Sequence, residues 1–506
     1  MIDEKCSNNW NPTTYMNADI ILGAFIPIYV TQDLQDQFLI PFKKKPNLFD
    51  AMMGKWKNYQ YLLTLYFAIE EINKDAHLLP NVTLGFHLYN AFHSHRRTLE
   101  GPLMWLSERR EFIPNYKCKT QHKALGIIAG IRPEFSAAIG TLLELYKIPQ
   151  VSFATLITVT HGIFYSVLSD KDTFPSMYQI SPQDKGLTQG MIFLLLHFGW
   201  KWVGIIVADD LKGKEFLSDL TAELASEDIC VAFTEKIPTY MKVELLFGGG
   251  LVNLSQHTKV NVHVFYGDID DVLFFYILNE IRSNRKKMWI MAKPHFVYLQ
   301  SVFYKWIGLM SFFEGSFSFS KNRNIPGFKH FIQALTPSQY PGDIYFHKFW
   351  LDNFHCSPSP LLCGGQELCP LNISLKNKQE IQVLMITSEP SVSIWNAVYA
   401  VAHALHEMLL SKTEIDFHKD INQDRLLPWQ LHPFLRKIQF TNAAGDQICF
   451  DEKKNPMEKY DIQNFVGYTN HDSFVVKVGE FVSKSPQDKG LFINEVLIKW
   501  PSNFNQ

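Results

Sequence analysis

From about Ala18 the chain alternates short apolar runs with stretches whose apolar residues recur at helical spacing. Ile20–Phe25 is an apolar run closed by Pro27 and reads as a strand. Across Tyr59–Asn73, residues Tyr59, Leu62, Leu63, Tyr66, Phe67 and Ile69 line one side of a helix, with Glu70 and Glu71 expected to face out. Leu84–Tyr89 reads as a strand, Thr98–Ser107 as a helix and Leu125–Ala129 as a strand. A turn at Gly130–Pro133 then opens a helix, Phe135–Tyr146, and Val151–Phe153 returns as a strand. Repeated strand–helix units predict a parallel sheet with helices on both faces.

A second series starts near Gly186. It runs helix Leu187–Phe198, strand Trp202–Ala208, helix Phe216–Ala225, strand Val231–Phe233, strand Asn261–Tyr266, helix Asp271–Ser283 and strand Lys287–Met291. Phe313–Ser320 (FEGSFSFS) alternates apolar and small residues, and a long helix follows at Ile394–Leu410. Met191–Ala208 is the most apolar stretch, but Gly199 and Lys201 split it into a helix end and a strand. No segment approaches the ~20 apolar residues of a membrane span.

Length changes the picture: 506 residues exceed one hydrophobic core and imply two or more lobes of roughly 150 residues each. The net charge of −2 gives no basis for binding nucleic acid or an anionic membrane. Aromatics reach 14% and charged residues only 19%, which leaves aromatic surface to be covered by ligand, partner or glycan. No catalytic constellation stands out. Gly248–Gly250 lacks the Lys-Ser/Thr of a phosphate loop, and no Gly-x-Ser-x-Gly elbow occurs. His87, His93 and His95 have no cysteine or carboxylate at ligand spacing, so no metal and no cofactor is expected. Asn81, Asn253 and Asn372 open sequons and are glycosylation candidates. Cys356, Cys363 and Cys369 share one loop, where one pair is expected to close a local disulfide.

The phrases FAIEEINKD (67–75), YKIPQVSF (146–153), WKWVGIIVADD (200–210), NAVYAVAHALHEMLL (396–410) and LHPFLRKIQFTNAAGD (431–446) occur in one order along the chain. Together they resemble the extracellular Venus flytrap ligand-binding region of class C G-protein-coupled receptors. The wording of HLLPNVTLGFHLYN (77–90) and AVAHALHEMLL (400–410) is most similar to vomeronasal type-2 (pheromone) receptors. The resemblance implies an α/β, bilobal, periplasmic-binding-protein-like fold: two doubly wound parallel sheets joined by three hinge strands. Lobe 1 would take 18–187 and 322–447, and lobe 2 would take 188–321 and 448–482. Residues 1–17 would form an N-terminal extension, and 483–506 would lead to a cysteine-rich linker and seven-helix bundle. Crossings between lobes are expected near Phe313–Ser320 and Gly445–Ile462. The start MIDEKCSNNW lacks the apolar core of a signal peptide, a departure from the family.

Carried over residue by residue, the resemblance puts the ligand at Pro133, Ala154, Thr155, Asp184, Lys212 and Lys293. Pro133 stands where amino-acid-sensing relatives carry a serine, and it offers neither hydroxyl nor N–H. Ala154 would present a carbonyl and Thr155 a hydroxyl. Asp184 keeps the acid that meets a ligand ammonium, although capping the following helix explains it equally well. Lys212 replaces an aromatic contact and Lys293 an acid. A cleft so changed suits a peptide better than a free amino acid. The resemblance further implies dimers through lobe 1, with Cys118 in an inter-subunit disulfide loop and Cys230 bonding the linker. Signalling would reach a G protein only through the membrane bundle, so these 506 residues are expected to bind without signalling alone. A soluble solute-binding or decoy protein of the same fold is the alternative.

Overall fold

The computed structural model describes residues 13–31, 52–54, 56–90, 95–107, 124–130, 133–152, 174–180, 185–237, 259–267, 287–292, 313–321, 324–340, 343–357, 368–370, 384–385, 387–415, 426–450, 458–469, 472–483, 490–501 and 504. They fall into two compact units. Unit 1 draws on 1–155, 167–182 and 323–455, and unit 2 on 156–166, 183–322 and 456–506.

Unit 1 opens with β1 (Thr13–Met16), β2 (Ile20–Ile26) and a small hairpin of β3 (Tyr29–Thr31) and β4 (Met52–Gly54). Then come α1 (Trp56–Lys74), β5 (Leu84–Asn90), α2 (His95–Ser107), β6 (Ala124–Ala129), α3 (Pro133–Glu144), β7 (Gln150–Ser152) and β8 (Met177–Gln179). The sheet order is β1-β5-β2-β6-β7-β8, parallel except for β1, which pairs antiparallel with β5. Every residue of β2 is buried, as a strand covered on both faces requires.

Unit 2 begins with α4 (Lys185–His197), β9 (Trp202–Ala208), α5 (Leu211–Ser226), β10 (Cys230–Ile237), β11 (Val262–Tyr266), β12 (Met288–Met291) and β13 (Phe317–Ser320). Helix α4 stops because Gly199 adopts a left-handed φ of 66°. That turn lets the Gly199 and Trp200 amides donate back to the carbonyls of Leu196 and Leu195. The chain then returns to unit 1 for α6 (Phe328–Ala334), α7 (Ile344–Phe354), α8 (Glu389–Ile415), α9 (His432–Lys437) and the hairpin β14 (Gln439–Thr441)–β15 (Gln447–Cys449). Asn442 closes that hairpin, accepting from the amides of Ala444 and Asp446 while Gly445 takes a φ of 88°. Unit 2 is completed by β16 (Lys459–Thr469), β17 (Asp472–Val482) and β18 (Leu491–Ile493). Its sheet order is β10-β9-β11-β12-β13-β16-β17-β18. The run from β10 to β13 is parallel, and the last three strands add antiparallel.

Each unit has its own core. In unit 1, α1 and α8 pack Tyr59, Leu62, Leu63, Trp395, Val398 and Leu405 together. Gln60 is buried among them without penalty because its amide donates to Leu384 O and its carbonyl accepts from Ser388 N and Ser391 Oγ. Glu70 and Glu71 do not face out as the helical pattern suggested. Glu70 accepts from Tyr340 OH, and Glu71 from Trp395 Nε1 and Tyr399 OH, so both are half-buried against residues far along the chain. The pattern misled because phenol and indole groups pack like apolar residues yet need acceptors. In unit 2, Phe198, Trp200, Phe317, Trp500 and Phe504 form an aromatic cluster, so the C-terminal segment packs into that unit's core. Lys499 N donates to Asn464 Oδ1 and Gly315 packs against Pro501, fixing the same segment.

Asp343 caps α7. Its Oδ1 accepts from Thr14 Oγ1 and from the amides of Tyr345 and Phe346. Burial nevertheless raises its carboxyl from 3.8 to about 6. A carboxyl raised on folding holds its proton more tightly in the folded state. Its contribution to stability is therefore full below about pH 4 and is lost as pH rises through about 6. Asp343→Asn keeps the capping oxygen and removes the titration. Chemical denaturation at several pH values is expected to show the native chain losing up to about 3 kcal/mol between pH 4 and 7 relative to this variant. Parallel pH profiles would contradict the assignment.

Candidate ligand-binding edges

In a doubly wound sheet the chain leaves successive strands in opposite directions at a switch point, opening a crevice at the carboxyl ends. In unit 1 that point lies between β2 and β6, because β5 sits on one side of β2 and β6 on the other. Beyond β2 the exit is tied twice: Asn90 Oδ1, at the end of β5, accepts from Ile28 N, and Asn58 Nδ2 donates to Pro27 O. Beyond β6 stands Gly130, with a φ of 98°. A Cβ there would lie 1.8 Å from Ser136 Oγ, so only glycine fits. Ser136, on α3, and Ser152, ending β7, share a hydrogen bond of 3.2 Å beneath this turn.

Pro133 is the first residue of α3. A proline there suits the helix, since its fixed φ is helical and its missing N–H would have had no partner. For a ligand the effect is opposite, because one outward donor of the first turn is absent. The amides of Glu134 and Phe135 remain.

Unit 2 repeats the arrangement between β9 and β11. After Ala208, Asp209 N donates to Ile237 O, and Asp210 caps α5 by accepting from Gly213 N at 2.8 Å. Asp209 also meets Lys214 at 3.2 Å, an exposed pair that contributes little. Gly213 and Gly267 both press on Ala208. A Cβ on Gly213 would stand 1.9 Å from Ala208 O, and one on Gly267 would stand 2.4 Å from Ala208 Cβ. Lys212, half-buried, lies in the first turn of α5 on this edge. Strand β12 delivers Ala292 to the same end, its amide donating to Phe265 O.

Of the six candidate ligand contacts, Pro133 and Lys212 are therefore placed at switch-point edges, one in each unit. Ala154, Thr155, Asp184 and Lys293 lie outside the described residues. The Ser136–Ser152 pair and the Asn90 tie were not read from sequence. A serine ending an apolar strand is a signal only once the neighbouring turn is known.

Cys356 and Cys369 form a disulfide, with Cα atoms 4.9 Å apart. Cys363 and Cys118 lie outside the described residues. Cys230 opens β10 as an exposed free thiol, and Cys449 is free and half-buried. Asn81 is exposed in a turn with a φ of 64°, whereas Asn253 and Asn372 are outside the described residues. His87 lies in β5 edge-on to Tyr15. Among the described residues no group of three or more His, Cys, Asp or Glu could hold a metal ion. No described helix is long and apolar enough to cross a membrane.

Two units, each built on a doubly wound sheet, define a periplasmic-binding-protein-like fold. Residues 60–467 match the family described as receptor family ligand binding region, and the chain belongs to that family. It is similar to vomeronasal type-2 receptor 26 of Mus musculus, 32% identical over 503 residues, covering 97% of this chain and 57% of that protein. Vomeronasal type-2 receptor 116 of Mus musculus is 28% identical, covering 89% of this chain and 51% of its own length. The extracellular calcium-sensing receptor of Homo sapiens is 27% identical, covering 96% and 46%. The chain thus spans about half the length of the curated relatives it matches.

Proposed function

We propose that this chain is the ligand-binding region of a pheromone-type class C G-protein-coupled receptor, facing the extracellular side of the plasma membrane, and that its ligand is a peptide. The similarity to a vomeronasal type-2 receptor along 97% of the chain carries this reading. The ligand closes the two units on each other through the segments that connect them, and a membrane bundle passes that closure to a G protein. The chain is not an enzyme; its relatives bear the names of receptors.

The peptide assignment rests on what the edges offer. Pro133 takes away a backbone donor and stands where amino-acid sensors have a hydroxyl. Each hydrogen bond to a charged group is worth about 1.5–3 kcal/mol. In the same comparison Lys293 replaces an acid. At an effective dielectric of about 20, a unit charge at ~4 Å contributes on the order of 4 kcal/mol, here with reversed sign for a ligand ammonium. Asp184 offsets only part of this. The sum exceeds the roughly 4 kcal/mol between micromolar and millimolar binding. A peptide with its own acidic group would instead meet Lys212 or Lys293, with Ala154 and Thr155 supplying further polar contacts.

Titration calorimetry with the twenty free amino acids is expected to show no binding tighter than about millimolar. Micromolar binding of any one of them would overturn the placement of Pro133 and Lys293. Pairing through unit 1 belongs to the same proposal, with Cys118 as its covalent link. Secreted protein on a non-reducing gel is expected to run as a dimer that Cys118→Ser converts to monomer, and a dimer band surviving that substitution would remove Cys118 from the interface.

A further inference from the structure

Unit 2 contains a buried ion pair whose neighbours come from three places where the chain passes between units. Lys321 Nζ lies 3.2 Å from Glu458 Oε1, with the two side chains only 5% and 8% exposed. Lys321 directly follows β13, just before the change of unit at Asn322/Arg323, and Glu458 follows closely on the change at Asn455/Pro456. Another passage, at Pro182/Gln183, leads into α4, where Gly186 packs so tightly that a Cβ would stand 2.5 Å from Glu458 Oε2.

The pair is fully furnished. Tyr460 OH donates to Glu458 Oε2 at 3.1 Å, and the Lys321 ammonium sits 5.0 Å above the Tyr460 ring centroid. The Glu458 backbone exchanges two hydrogen bonds with Ser483, whose Oγ accepts from Glu458 N and whose N donates to Glu458 O. Strand β13 pairs with β16 up to Ser320–Asp461, so Lys321 and Glu458 both lie just beyond the end of that ladder.

Buried ion pairs seldom add stability over apolar residues of similar size, because desolvation consumes the attraction. Their best-attested use is to fix a register or an arrangement. We infer that Lys321 and Glu458 form a clasp that holds three of the chain's inter-unit passages, those at 182/183, 322/323 and 455/456, together at their unit 2 ends, so that they move as one block. General stability of unit 2 is not its role. The inference concerns the protein without ligand, so its failure and failure of the peptide-receptor reading are separate results.

The test is hydrogen exchange followed by mass spectrometry on the full chain, without ligand. Lys321→Met leaves Glu458 buried without its ammonium partner. Exchange is expected to rise by at least about tenfold at the three roots together, in peptides covering 185–189, 317–321 and 458–462. Strands β9 and β11 and the unit 1 sheet are expected to keep native protection. Tyr460→Phe, which removes a single hydrogen bond from Glu458, is expected to cause a smaller rise of about threefold at the same three roots. It covers the case in which Lys321→Met does not fold. A rise confined to the substituted strand, or one spread evenly over unit 2, would overturn the clasp.

Discussion

A single steric constraint organises each unit: parallel strands buried on both faces must release the chain at their carboxyl ends with almost no room for side chains. Around Ala208 the backbone of α5 and the exit from β11 come so close that Gly213 and Gly267 admit no Cβ. In unit 1 the same crowding occurs where Gly130 passes over Ser136 and Ser152. These approaches set where α3 and α5 begin. They also determine which residues stand on the open edge, Pro133 in one unit and Lys212 in the other.

Much of this was legible in the residue pattern, and the reasons differ by element. Strands β2, β9 and β11 are short continuous apolar runs, and α1 and α8 carry broad apolar faces, so burial alone reveals them. The long hairpin of β16 and β17 was not read. Its register shifts at Ile462/Gln463 and at Phe465/Gly467 break the alternation that marks a strand. Asn464 compounds the effect. It is fully buried in that strand yet polar, satisfied by the carbonyls of Gly315 and Ser316 and by the amide of Lys499, partners distant in sequence.

The candidate site was legible in a different way. Gly130 and the Asp209-Asp210 step mark strand ends by their chemistry, and resemblance assigned the residues beside them. Spacing could not show that Glu71 serves Trp395 and Tyr399, or that Lys321 meets Glu458. Those are long-range acceptor–donor matches between helices or strands far apart in the chain. They consume charges that a local reading would send to solvent. In both units the apolar cores supply most of the cohesion.

The proposed function assigns a peptide ligand to the switch-point edges of the units. It is tested most directly by hydrogen exchange of the chain with and without a pool of acidic peptides at saturating concentration. The account predicts slowed exchange at amides in 126–136 and 207–214, with the outer strands β1 and β18 unchanged. Peptide binding that leaves both of those segments at their unliganded rates would contradict it.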